Sequence, residues 1–168
     1  MRMFALLVVL LGGCSDGGGL PNGSQPASIP AEWAQVTATC GYSFMAPPDL
    51  ILGDVGGIDS CVDRWSTDSC SLVGDFGAYS SPAIETPGLL DFREWSETID
   101  GRIAQLSTAR NELVSAASQL ESSVHFAVVD PDLPYAMLKV SAYCPTESAR
   151  DQTLLVFRSI RFSDDLVD

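Results

Sequence analysis

Basic side chains are scarce in this 168-residue chain: nine lysines and arginines face 22 aspartates and glutamates, for a formal net charge of −13. Lys139 and His125 are each the single residue of their kind. A surface this acidic repels phosphate backbones and anionic headgroups, which argues against nucleic-acid binding and peripheral lipid binding. One histidine cannot supply a multi-histidine metal site, and no C-x-x-C spacing offers thiolates in its place. An H-E-x-x-H helix and a glycine-rich phosphate loop are also missing. Long apolar runs are absent too, since the stretch Met3 to Leu11 has about half the length a bilayer-spanning helix requires.

What is present begins at the amino end. Arg2, the apolar run Met3 to Leu11, and the pair Gly12-Gly13 supply the basic, hydrophobic and small-residue parts of an export signal. The segment Leu11-Gly12-Gly13-Cys14 resembles the lipobox of bacterial lipoproteins. That resemblance implies a signal peptide over 1–13, a diacylglyceryl group on the Cys14 thiol, and further acylation by a chain such as palmitate. Each buried CH₂ adds about 0.8 kcal/mol, so two or three chains hold a protein on a membrane where one does not. Ser15, rather than Asp, follows the cysteine, which under the lipoprotein sorting rule implies the outer membrane, facing the periplasm or the exterior. Residues 14–30 are rich in Gly, Ser and Pro and cannot bury enough apolar surface to order themselves. They read as a tether with a reach of about 20 to 25 Å.

Residues 31–168 have the size of one domain. Without Cys14, four cysteines remain (Cys40, Cys61, Cys70 and Cys144), an even number in an oxidising compartment, which predicts two disulfides. Three connectivities are open. Cys61 and Cys70 flank an expected turn at Ser66-Thr67-Asp68 and form the easiest local pair, which would leave Cys40 to Cys144. On a chain-entropy model the short bridge stabilises by about 3 kcal/mol and the long one by nearly 5.

The hydrophobic pattern is mixed. Gln35–Met45 predicts a strand that ends at Pro47-Pro48. Ile58–Trp65 and Ser69–Tyr79 predict a hairpin, and Leu89–Thr98 a short helix or structured loop. Ile99–Ser107 predicts a strand with a bulge at Gly101. Asn111–Leu120 carries Leu113, Ala116, Ala117 and Leu120 at helical spacing behind an Asn cap. Val124–Val129 and Tyr135–Tyr143 are the clearest strands, with a turn over 130–134. Ser148 caps a helix of two to three turns, after which Phe157–Phe162 returns as a strand. Successive strands with few helices predict an α+β fold with an antiparallel sheet.

Two end pieces, Tyr42-Ser43-Phe44-Met45-Ala46-Pro47 and Leu154-Leu155-Val156-Phe157-Arg158-Ser159-Ile160-Arg161-Phe162, resemble PsbP-like domains. The resemblance spans residues 35–163 in order of elements. It implies a central antiparallel sheet flanked by a few helices, here stapled by disulfides, and a binding or assembly module rather than an enzyme. It carries over no functional residue.

Candidate chemistry is sparse. His125, between Val124 and Phe126, reads as a strand histidine that points outward or fills a polar niche. Ser60 has no base in a recognisable arrangement. Asp54, Asp59 and Asp63, with Asp68 and Asp75, gather around the first hairpin and offer hard oxygens of the kind calcium prefers, although the D-x-[DN]-x-[DN]-G pattern is missing. Apart from calcium, no cofactor is expected. Glu94, Glu97 and Asp100 would have to supply any acid and base for glycan cleavage. Trp33, Trp65, Trp95, Tyr79 and Tyr135 belong either to the core or to a surface for an envelope protein or glycan partner. The sequence therefore predicts a membrane-anchored, non-catalytic envelope module. The alternatives are an envelope hydrolase using a carboxylate site and a calcium-stabilised structural lipoprotein.

Overall fold

The computed structural model describes residues 28–54, 56–57, 59–78, 80, 89–111, 119–127 and 136–163. Seven of its strands form one antiparallel sheet in the order β3 (Ile51–Leu52), β4 (Cys61–Ser66), β5 (Ser71–Gly77), β9 (Met137–Cys144), β8 (Gln119–Phe126), β7 (Arg102–Asn111) and β6 (Leu89–Ile99). In a second antiparallel sheet, β2 (Tyr42–Ala46) sits between β1 (Ala34–Thr37) and β10 (Arg161–Phe162). One helix among the described residues, α1 (Glu147–Arg158), packs against β8 and β9 and touches β2. The α+β architecture with a central antiparallel sheet is the one the sequence predicts.

Turn chemistry explains both the agreements and the differences. The β4–β5 hairpin forms as expected, with the Thr67 hydroxyl accepting the Ser69 and Cys70 N–H groups across the turn. The segment Leu89–Thr98 is not a helix or loop but most of β6, and the strand expected over Ile99–Ser107 is split by a turn. Asp100 (φ 50°) and Gly101 (φ 71°) both take positive φ, the two-residue geometry whose twist matches antiparallel strands and favours Asp-Gly. Gly101 is thus a hairpin residue, and the bulge lies at the other end of β6, between Leu90 and Arg93, with Asp91 at φ 52°. Gln35–Met45 likewise folds back on itself through Gly41 (φ 82°), giving β1 and β2 in place of one strand.

Of the helix expected over Asn111–Leu120, Asn111 ends β7 while Gln119 and Leu120 open β8. Residues 112–118 lie outside the described residues, as do 128–135 and residues 1–27 with Cys14. α1 is capped by Thr146, two residues before the expected Ser148, through an N–H bond from Ala149 to its hydroxyl at 3.2 Å. The helix runs on through Phe157, so the returning strand is only Arg161–Phe162. Ser159 closes it: its hydroxyl donates to the Val156 carbonyl and accepts the Met45 N–H, tying the helix end to β2.

The sheet face turned toward α1 carries Leu72, Leu106, Val124, Phe126, Leu138 and Val140, none more than 2% exposed. Against its β4–β5 end pack Tyr42, Phe44 and Trp65, with Phe44 and Trp65 edge to face at 5.1 Å. Gly74 makes room for them, because a Cβ there would stand 2.0 Å from the Tyr42 hydroxyl.

Both disulfides form, but with a different pairing from the expected one: Cys40 bonds Cys61, and Cys70 bonds Cys144. The hairpin itself separates Cys61 from Cys70, since Cys61 lies opposite Phe76 at the far end of β4 from the turn. Extending the β5–β9 register one step past Ser71 and Tyr143 sets Cys70 directly opposite Cys144, with Cα atoms 4.5 Å apart. The other bridge ties the turn before β2 to the start of β4, and so links the two sheets.

Candidate functional site

A cleft of about 570 Å³ opens between the flank of α1 and the two strands beyond β8. Sheet register places its walls. Arg93 lies opposite Thr108 and Trp95 opposite Leu106, so both project from β6 on the face that α1 shares. The bulge sets two residues, Asp91 and Phe92, against Ala109, and Asp91 reaches the Arg110 guanidinium at 3.2 Å. From the helix, Glu147, Arg150 and Leu154 follow the three- and four-residue steps of one face. Leu120 of β8 lies between the two walls and is buried. Three of the eight arginines of this acidic chain therefore meet in one concavity.

Trp95 is held in place from behind. Its indole N–H donates to Glu97 Oε1 at 2.7 Å, and Arg158 at the end of α1 grips both oxygens of the same carboxylate at 2.7 and 2.9 Å. The Arg158 hydrogen bonds, helped by the one from Trp95, hold the Glu97 carboxyl below its ordinary range. The contact in turn raises the Arg158 guanidinium. A helix end, an edge strand and one wall of the cleft are thus locked by a single carboxylate.

The opposite face of the large sheet holds a second polar arrangement. Asp75, Lys139, His125 and Gln105 lie opposite one another on β5, β9, β8 and β7, neighbours across the strands at about 5 Å between Cβ atoms. In this row His125 is 5% exposed, Asp75 and Lys139 are half-buried and Gln105 is exposed, and Glu121, further along β8 on the same face, is 6% exposed. Burial, and then the Lys139 charge, lower the affinity of His125 for a proton. Burial also lowers Lys139 and raises Glu121, each partly offset by the other's charge. The Nε2 of His125 and the Oδ1 of Asp75 have no hydrogen-bond partner among the described residues.

The candidates read from the sequence are dispersed. Asp63 is fully buried, and its carboxylate accepts the Thr39 N–H and hydroxyl, whereas Asp54 and Asp59 are exposed. Among the described residues, the Cys, His, Asp and Glu ligand atoms that gather within 4.8 Å of one another are those of Cys40, Cys61 and Asp63. Asp54, Asp59 and Asp63 therefore do not surround one calcium ion, and the two sulfurs are joined to each other. Asp68 is exposed in the β4–β5 turn, and Asp75 belongs to the row described above. Glu94 lies opposite Ser107, on the face away from the cleft, Glu97 is engaged by Arg158, and Asp100 accepts the Phe162 N–H. Ser60 precedes β4, three strands from β8, so about 14 Å of sheet separates it from His125. Trp33 and Trp65 are core residues, Trp95 is half-buried at the cleft, and Tyr79 and Tyr135 lie outside the described residues.

The cleft arginines were the missed signal. Arg93 and Arg110 lie on strands and Arg150 on a helix, and only register brings them together. Their rarity in the chain was the available clue.

No family model and no curated sequence matches the chain. Among solved structures it is similar to the solution structure of cyanobacterial PsbP (CyanoP) from Synechocystis sp. PCC 6803, with a TM-score of 0.50 and 16% identity over 90% of this chain and 98% of that one. The fold is PsbP-like.

Proposed function

We propose that this chain is a lipid-anchored protein of the bacterial cell envelope whose PsbP-like fold serves as a non-catalytic binding or assembly module, with the cleft between α1 and β6–β7 as its ligand site. The observation that carries this reading is the chemical character of the cleft. Guanidinium groups, an indole face and leucine side chains grip and orient a ligand, and among the described residues no nucleophile there is hydrogen-bonded to a base. The lipobox at Leu11–Cys14 supports attachment through Cys14, with Ser15 favouring the outer membrane, and two disulfides suit an oxidising space. The tether's reach of about 20 to 25 Å leaves the cleft able to meet an envelope protein or a glycan.

The test uses the intact protein, recovered from detergent-solubilised envelopes with whatever it holds. An Arg93→Glu, Arg110→Glu double variant is expected to lose the captured species, while Arg64→Glu on β4 keeps them. Cys14→Ala is expected to move the protein from the detergent phase to the aqueous phase. Identical capture by the double variant would remove the cleft from the reading, and unchanged partitioning of Cys14→Ala would remove the anchor.

A further inference from the structure

We propose, resting on the reading above, that the ligand of the cleft is a small oxyanion carried on a planar, apolar body, such as an aromatic carboxylate or phosphate. Four observations converge on this class.

The first is charge. In a chain of net charge −13, Arg93, Arg110 and Arg150 meet in one concavity, and Arg93 has no ion-pair partner among the described residues. Among the described residues, Arg110 and Arg150 are paired with exposed carboxylates, Asp91 at 66% and Asp151 at 64% side-chain exposure. Exposed pairs of that kind contribute little to stability, so an incoming anion can replace them at little cost.

The second is shape. A guanidinium is a planar fork that takes two oxygens of a carboxylate or phosphate at once, and arginine supplies all the positive charge in this cleft. The third is the indole. The polar edge of Trp95 is already occupied by Glu97, which leaves the ring as the part that can offer contact, and a flat ligand gains by stacking on it. Leu154 on the opposite wall adds apolar surface. The fourth is size: about 570 Å³ falls inside the range of small-molecule sites. The acidity of the rest of the chain argues against a polyanion such as nucleic acid, whose length would extend into that field.

Trp95 also provides the readout, because Trp33 and Trp65 are 7% and 3% exposed in the core. The full-length protein in detergent micelles is titrated with isophthalate, phenyl phosphate and the neutral isostere isophthalamide, following tryptophan emission and the heat of binding. The expected result is saturable binding of both anions with none of isophthalamide. Affinity is expected to fall about tenfold in Arg93→Gln, where one charge-assisted pair is lost, and to stay unchanged in Arg64→Gln. Both substitutions are at exposed positions, which keeps the fold intact. If isophthalate alone binds, the source is a carboxylic acid, and if phenyl phosphate alone binds, a phosphate monoester. Equal binding of isophthalamide, indifference to Arg93→Gln, or no binding by either anion overturns the proposal. Failure here combined with cleft-dependent capture from envelopes discards the ligand class but keeps the binding module. Anion binding combined with cleft-independent capture does the reverse.

Discussion

Two single residues show how closely this core is fitted. Gly74 lets the Tyr42 ring lie on the sheet, yet the Tyr42 hydroxyl is buried with no hydrogen-bond partner among the described residues. Burial, and then the charges of Asp63 and Asp75, hold that phenol far above its ordinary range, so it stays neutral. Gly74→Ala is expected to destabilise the protein by about 1 to 3 kcal/mol through overpacking. Tyr42→Phe removes both the orphan oxygen and the atom that clashes, so it should cost little by itself and restore most of the loss in the double variant. Chemical denaturation of the four proteins checks this, and additive losses would mean that the two positions do not meet.

His125 sets a second residue-scale expectation. Its folded-state proton affinity is depressed, so below a pH of about 6.5 the unfolded chain takes up a proton that the folded one declines, and stability falls as the pH is lowered through that window. Glu121 acts with the opposite sign. Its raised folded value means that the folded state binds more protons above about pH 4.5, and stability rises on acidification there. In a Glu121→Gln background, unfolding free energies measured between pH 7 and 5 should therefore decline toward acid, and adding His125→Gln should flatten the slope. A slope unchanged by the second substitution would assign the effect to other groups.

At the scale of elements, alternation was legible and turns were less so. β5 and β9 could be read from period-two patterns because their inward positions are Leu72, Gly74 and Phe76, and Leu138, Val140, Ala142 and Cys144. β4 could be read from Cys61 and Trp65 despite the buried Asp63 between them. Of β8, only Val124–Phe126 could be read as strand, because Leu120 falls at helical spacing. β6 could not, since an edge strand flanked by solvent carries Asp91, Arg93, Glu94 and Glu97 along its length, and that charge density resembles a helix surface. The Asp-Gly pair at 100–101 held the missing information. The cysteines teach the same lesson. Proximity in sequence suggested Cys61 with Cys70, whereas a two-strand hairpin carries residues on either side of its turn apart as readily as together, and only the β5–β9 register selects Cys144. Peptide mapping without reduction is expected to recover the Cys40–Cys61 and Cys70–Cys144 linkages, closing loops of 21 and 74 residues. On the chain-entropy model these contribute about 3 and about 4.5 kcal/mol. A Cys61–Cys70 peptide would contradict the strand pairing itself.

For the molecule as a whole, the fold was accessible from sequence and the site was not. The α+β architecture follows from local periodicity and short end pieces. The cleft is built from residues of β6, β7, β8 and α1, whose convergence depends on long-range pairing that no local pattern encodes. The acidity that disfavours nucleic acids is a property of the total charge, and it concealed a local reversal of sign.

The bridge between Cys70 and Cys144 has one more consequence, for survival under proteolysis. Cleavage at any single peptide bond between those two positions would leave both fragments covalently joined, because the sulfur link spans the cut. Arg93 and Arg110 would then remain fastened to the fragment bearing Arg150, and a nicked molecule would run as one species until a reductant parted it.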